Sequence, residues 1–149
     1  MLFTVATGYA LQALAHMPED GSFMMAKELA EQLHLPAPYL AKILQNLARA
    51  EILESVRGPK GGFRLSRPAH RISVGEVLSA IEGPGSLDRC IMGFPACDCE
   101  NPCPMHDAWS AVKAQVETSM TSTTLRDLQL TKVRRTILMS PAAVKRSKG

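Results

Sequence analysis

In the run "HLPAPYLAKILQNLARA", residues 34 to 50, two prolines stand just ahead of a regularly spaced apolar stripe. Proline lacks the backbone N–H and fixes φ, so Pro36 and Pro38 are tolerated only in or before the first turn of a helix. A helix is therefore predicted to begin near Pro36. Its stripe is Leu40, Ile43, Leu44 and Leu47, spaced i, i+3, i+4, i+7, which turns Tyr39, Lys42, Gln45, Asn46 and Arg49 outward. The outward face is polar and cationic.

The same period organises the neighbouring segments. Residues 4 to 16 gather Val5, Tyr9, Leu11, Leu14 and Ala15 largely on one side, and Pro18 with Gly21 ends that helix. A second helix, about Met25 to Leu33, buries Leu29, Ala30 and Leu33 and turns into the third through "HLPAP". Downstream, Ile52, Leu53 and Val56, then Phe63 and Leu65, flank the turn signal "GPKGG" as a basic hairpin. Ser73 and Glu76 have capping-box spacing, Val74, Val77, Leu78 and Ile81 share a face, and Gly83 closes a fourth helix. Residues from Pro84 through Cys103 are irregular. Pro104 is then expected to start a long helix with Ala108, Trp109, Val112 and Val116 as its apolar stripe, and "TLRDLQL" adds one or two turns.

Two helices joined by a short turn, with a polar face on the second and a basic hairpin behind it, describe a winged helix-turn-helix. The predicted fold class is mainly α: a winged helix-turn-helix domain over 1–83 with a small β-hairpin wing, plus a long C-terminal helix. A cysteine-rich loop occupies 84–103, the long helix region 104–130, and a basic tail 131–149. That tail has too few apolar residues to fold alone and is expected to be disordered.

Charge supports a polyanionic partner. The net charge of +3 hides six cations and no acid in residues 131 to 149. More informative is Pro36 to Arg71, where seven Lys/Arg face only Glu51 and Glu54, a local excess of +5. Tyr39, Lys42, Gln45 and Asn46 offer groups that read base edges or hold phosphates. Arg57 and Lys60 flank a glycine-rich tip that lets backbone approach a duplex. The bland alternative is a solvated face on a small helical domain.

All four cysteines, Cys90, Cys97, Cys99 and Cys103, fall within "CIMGFPACDCENPCPMH" together with His106. No run approaches the roughly 18 apolar residues of a spanning helix, and the start lacks a basic leader and cleavage site, so no membrane is expected and the chain reads as cytoplasmic. In that reducing compartment clustered cysteines bind metal or do redox chemistry more often than they form disulfides. Cys90, Cys97 and Cys103 are separated by six and five residues, and His106 follows Cys103 by three. Spacing alone leaves zinc and an iron-sulfur cluster equally open. An enzyme using Cys103 and His106 as nucleophile and base is a competing class, but nothing in the sequence suggests an oxyanion arrangement or an orienting third residue. The chain is therefore expected not to be an enzyme.

The runs "TGYALQAL", "YLAKILQ", "SVRGPKGGFRL" and "VGEVLSAIEG", followed by a three-cysteine loop and a long helix, closely resemble the Rrf2 family of bacterial regulators, whose members include IscR, NsrR and RirA. The resemblance covers most of residues 1 to 128. It implies a homodimeric winged-helix repressor or activator, bound to a partly palindromic operator, that senses iron-sulfur status, nitric oxide or redox change. It further implies that Arg57, Gly58, Pro59, Lys60 and Gly61 form the segment that contacts the DNA backbone and reaches the adjacent minor groove. Trp109, Val112 and Val116 become anchors of the dimer helix, with packing inside one chain as the alternative.

The resemblance also shifts the cysteine loop toward an iron-sulfur cluster. IscR-like members take a histidine just after the third cysteine as fourth ligand, which matches "CPMH" and gives His106. NsrR-like members use an acid in the partner's first helix, and that position is Gly8 here. The implied ligands are Cys90, Cys97, Cys103 and His106, with Cys99 the alternative, and [2Fe-2S] is favoured over [4Fe-4S]. The other reading is a zinc-stabilised or thiol-switch regulator. At the recognition helix the chain departs from IscR, with Pro36 and Pro38 replacing small hydroxyl residues and Ala41 replacing an acid, so the operator should not be copied.

Overall fold

The computed structural model describes residues 3–95 and 97–131. The elements run α1 (Val5–Ala15), α2 (Ala26–Leu33), α3 (Ala37–Arg49), β1 (Leu53–Val56), β2 (Gly62–Leu65), α4 (Val74–Glu82), α5 (His106–Ser122) and α6 (Leu125–Thr131). Single 3-10 turns lie at Ala69–Arg71 and Ser86–Asp88. This is the mainly helical winged fold that the sequence predicts.

Helices α2 and α3 follow their patterns residue by residue, burying Leu29, Ala30 and Leu33 on one and Leu40, Ile43, Leu44 and Leu47 on the other. Between them His34 takes the left-handed region (φ 55), and the Leu35 N–H returns to the Ala30 carbonyl at 2.9 Å. Pro36 is the residue preceding α3 and Pro38 lies in its first turn. Fully buried leucines from α1, α2 and α3 meet Ile72, Val77 and Leu125 in one core. Each such side chain contributes about 1.5–3 kcal/mol by leaving water.

Helix α1 departs from its predicted stripe. Val5 is exposed and Leu11 and Ala15 are half-buried, whereas Thr7, Ala10, Gln12 and Ala13 join Tyr9 and Leu14 inside. The cause is its position: α1 touches α2, α3, α4 and α6, so most of its circumference is covered. One apolar stripe does not describe a helix buried on several sides.

The wing pairs β1 and β2 antiparallel, with Leu53 opposite Leu65 and Val56 opposite Gly62. Met24 and Phe63 exchange backbone hydrogen bonds at 2.8 and 2.9 Å, so the segment before α2 adds a third short edge. Gly62 sits at φ +131 against the Met24 backbone, where a Cβ would collide.

Helix α4 has the predicted capping box: the Glu76 N–H donates to Ser73 Oγ at 3.1 Å and the Ser73 N–H donates to Glu76 Oε2 at 2.8 Å. Helix α5 begins later than expected. Pro104 lies in the preceding turn, the His106 N–H reaches the Cys103 carbonyl at 3.0 Å, and the helical ladder opens with Trp109 N–H to Met105 O at 2.8 Å. Of the predicted α5 stripe only Trp109 is buried, 5% exposed; Val116 is half-buried, and Ala108 and Val112 are exposed. Trp109 is therefore already packed within its own chain.

After α5 the backbone returns to the winged domain. The Val74 N–H donates to the Thr123 carbonyl at 2.8 Å and the Leu125 N–H to the Ile72 carbonyl at 2.9 Å, which seats α6 with Leu125 fully buried. Thr131, expected in the basic tail, is the last residue of α6; the remainder of that tail, 132–149, lies outside the described residues.

Candidate functional site

Two sets of sequence-selected side chains occupy different places in this fold. The first lies on α3 and the wing. Lys42, Gln45 and Asn46 are exposed, and Tyr39 is 42% exposed at the N-terminal turn of α3. Arg49 Nη1 donates to Asn46 Oδ1 at 3.1 Å, which orients the carboxamide. The Tyr39 ring meets the buried Tyr9 ring nearly perpendicular, at 83° and 5.8 Å between centroids.

At the wing tip Arg57, Gly58, Pro59 and Lys60 are exposed, and Gly58 takes φ +113. Gly61 is buried, and its N–H closes the tip onto the Gly58 carbonyl at 3.0 Å. Gly61 thus shapes the turn and presents little surface. Arg57 and Lys60 make no ion pair among the described residues. Arg64 and Arg67 are different: Arg64 pairs with Glu54 at 2.7 Å and lies 4.5 Å from the Phe23 ring centroid, and Arg67 pairs with Glu76 at 2.7 Å. Outside these pairs the cations of this stretch are Arg57 and Lys60 at the tip, Lys42 and Arg49 along α3, and Arg71 in the 3-10 turn, all exposed and open to a polyanion.

The second set is the cysteine loop. Leu87 is buried, and Asp88 forms an ion pair with Lys113 of α5, which ties the start of the loop to that helix. Within the loop Asp98 accepts the Glu100 N–H at 2.8 Å and the Asn101 side-chain amide at 3.0 Å. Cys90, Cys97, Cys103 and His106, together with Phe94 and Asp98, line one cavity of about 230 Å³. Cys97 Sγ stands 3.3 Å from His106 Nδ1. Cys99 is exposed and does not line that cavity.

All four cysteines are free thiols. Loss of hydration, followed by the neighbouring Cys90, Cys99 and Cys103, holds the Cys97 thiol above its ordinary value, while Lys113 pulls the other way. Among the described residues no three His, Cys, Asp or Glu side chains form a preassembled metal-binding group. Sequence reasoning missed the supports. Asp98 had a local signal in "DCEN", but the Asp88–Lys113 pair bridges 25 residues and leaves no trace in spacing.

Residues 3–130 match the profile of the Rrf2 family, described as iron-dependent transcriptional regulators. The chain belongs to the Rrf2 family. Relatives include a protein of Aquifex aeolicus, 29% identical over 131 residues that cover 86% of this chain and 91% of the relative. Another, from Mycobacterium tuberculosis, is 30% identical over 131 residues, covering 86% and 81%. Both carry the provisional description of an HTH-type transcriptional regulator.

Solved Rrf2 structures agree with the fold. IscR of T. potens is 27% identical with a TM-score of 0.68, over 87% of this chain and 86% of that one. CymR, the global cysteine regulator of B. subtilis, reaches a TM-score of 0.73 at 23% identity over 87% and 96%, a likeness of fold. Rrf2 regulators bind DNA and commonly act as dimers. No described helix is long and apolar enough to cross a membrane.

Proposed function

We propose that this Rrf2 regulator is a cytoplasmic homodimer that binds a partly palindromic operator, and that an iron-sulfur cluster on Cys90, Cys97, Cys103 and His106 sets its occupancy. One observation carries the choice of ligands: these four residues line a single cavity, and Cys99 does not. Three thiols and an imidazole are donors that suit such a cluster, preferably [2Fe-2S]. When bound there, the cluster supplies one-electron redox chemistry and reactivity toward oxidants and nitric oxide.

The rest belongs to the chain. Tyr39, Lys42, Gln45 and Asn46 meet base edges and phosphates from α3, while Arg57 and Lys60 hold the backbone beside the minor groove. Val112, exposed, and Val116, half-buried, face the second copy from α5. His106 is the first residue of α5, so holding or releasing it acts directly at the start of that helix. Occupancy changes only if the two states bind DNA with different free energies.

A second reading draws on the exposed Cys99 thiol beside Cys97 and on the likeness to S. aureus CymR, known also in an oxidised form. Here the loop works as a zinc-stabilised element or thiol switch. Anaerobic purification followed by a visible spectrum and iron, sulfide and zinc analysis separates the two. Colour with matched iron and sulfide supports the first; a colourless zinc protein ends it.

A further inference from the structure

One carboxylate oxygen joins the end of α4 to the start of α1. Glu82 Oε1 accepts the Thr4 N–H at 2.6 Å, the Thr4 hydroxyl at 2.7 Å and the Thr7 hydroxyl at 2.6 Å. Thr4 is the N-cap of α1, yet its own side chain makes no capping bond, and the first turn of α1 contains no acid. The capping group and the negative charge at the positive end of α1 are therefore both supplied from another helix.

Glu82 is also the last residue of α4, where the chain leaves for the cysteine loop. Arg89 Nη2 reaches back to the Glu82 carbonyl at 3.5 Å, and Cys90 is the next residue. At its other side α1 touches the DNA-facing helix. Tyr9, two residues after Thr7, is 3% exposed and places its ring edge against Tyr39 of α3. A contiguous line of hydrogen bonds, helix and ring contact thus runs from Cys90 to Tyr39.

We propose that Glu82 is a positioning residue that transmits the state of the cysteine loop to α3 through α1. The loop supplies the two states, and Glu82 with α1 supplies the rigid connection between them and Tyr39. This rests on the reading above only in requiring that the loop have a loaded and an unloaded state. Arg89 and Tyr9 are the adjoining links, and neither touches DNA in this scheme.

The test measures operator affinity by fluorescence anisotropy for the loaded and chelator-treated full-length protein, and takes their ratio. In Glu82→Ala the ratio should fall by about fivefold or more, the lower bound of ordinary coupling, with metal content and visible spectrum unchanged. Glu82→Gln, which keeps an acceptor oxygen in place, should restore most of it. If Glu82→Ala fails to fold, Thr7→Val removes one of the three donors and should reduce the ratio in the same direction. An unchanged ratio in the folded variants, or equal loss of affinity in both states, overturns the proposal. If the wild type proves to be a zinc protein, zinc-loaded and zinc-free forms give the same ratio, so failure of the cluster reading stays distinct. A wild-type ratio of one rejects both.

Discussion

His106 Nδ1 lies 3.3 Å from Cys97 Sγ, so the first residue of α5 is in contact with the middle of the cysteine loop. His106→Ala should therefore lower the iron bound per protomer and alter the visible spectrum. Cys99→Ser should leave both close to wild type. Anaerobic metal analysis of the two variants checks the assignment, and the reverse result would make Cys99 the fourth ligand.

The wing separates its cations by partner. Arg57→Ala and Lys60→Ala should weaken binding across all operator sequences and each reduce the salt slope by about one. Arg64, held by Glu54 and the Phe23 ring, should leave that slope unchanged when substituted. Titrations at several salt concentrations measure this.

Leu44 is fully buried in α3 and Lys42, two residues away, is exposed. Leu44→Ala should cost about 2–5 kcal/mol of unfolding free energy. Lys42→Ala should stay within about 0.5 kcal/mol while reducing DNA affinity. Urea unfolding and operator titration on the same samples separate the two effects.

Acid should weaken the fold through α4. The Arg67 guanidinium, followed by bonds from Ser73, outweighs burial and holds the Glu76 carboxyl below its ordinary value of 4.5. At Glu82 burial pushes upward but is outweighed by Thr7, Thr4 and Arg89. Both carboxyls have folded values below their unfolded ones, so their contribution is complete above about pH 4.5 and is lost as pH falls through the lowered values. Tm should therefore drop on acidification below that point, and Glu76→Gln should flatten part of the slope.

In the proposed homodimer, helix α5 divides between two roles. Val112→Asp or Val116→Asp should shift the sedimentation profile toward monomer. Trp109→Ala should instead cost about 3–5 kcal/mol of fold stability, because the indole is packed in its own chain. Sedimentation and unfolding curves taken together distinguish assembly from folding.

Legibility in the sequence tracked how one-sided each element is. Leu40, Ile43, Leu44 and Leu47 form a single stripe and were readable, as was the Ser73–Glu76 box, because both are local patterns. Helix α1 was legible as a helix but not in its facing, since Thr7, Ala10, Gln12 and Ala13 are buried by neighbours that come later in the chain. Trp109 carried an apolar signal that periodicity cannot divide between one chain and two. The cysteine cluster announced itself, but the exclusion of Cys99 from the cavity depends on how the loop is folded. Glu82 gave no signal at all, because its donors lie 75 and 78 positions away.

The backbone bonds from Val74 to Thr123 and from Leu125 to Ile72 bring the two ends of a long stretch of chain side by side. Between them α4 stays packed against α1 and α3, while the cysteine loop and α5 extend beyond the winged domain before the chain returns to it at Thr123. Such a stretch is a cassette: it can lengthen, shorten or change its composition without altering the path of the chain through the rest of the fold. The winged domain is thereby compatible with many different inserts, provided each returns to the same two adjacent backbone positions.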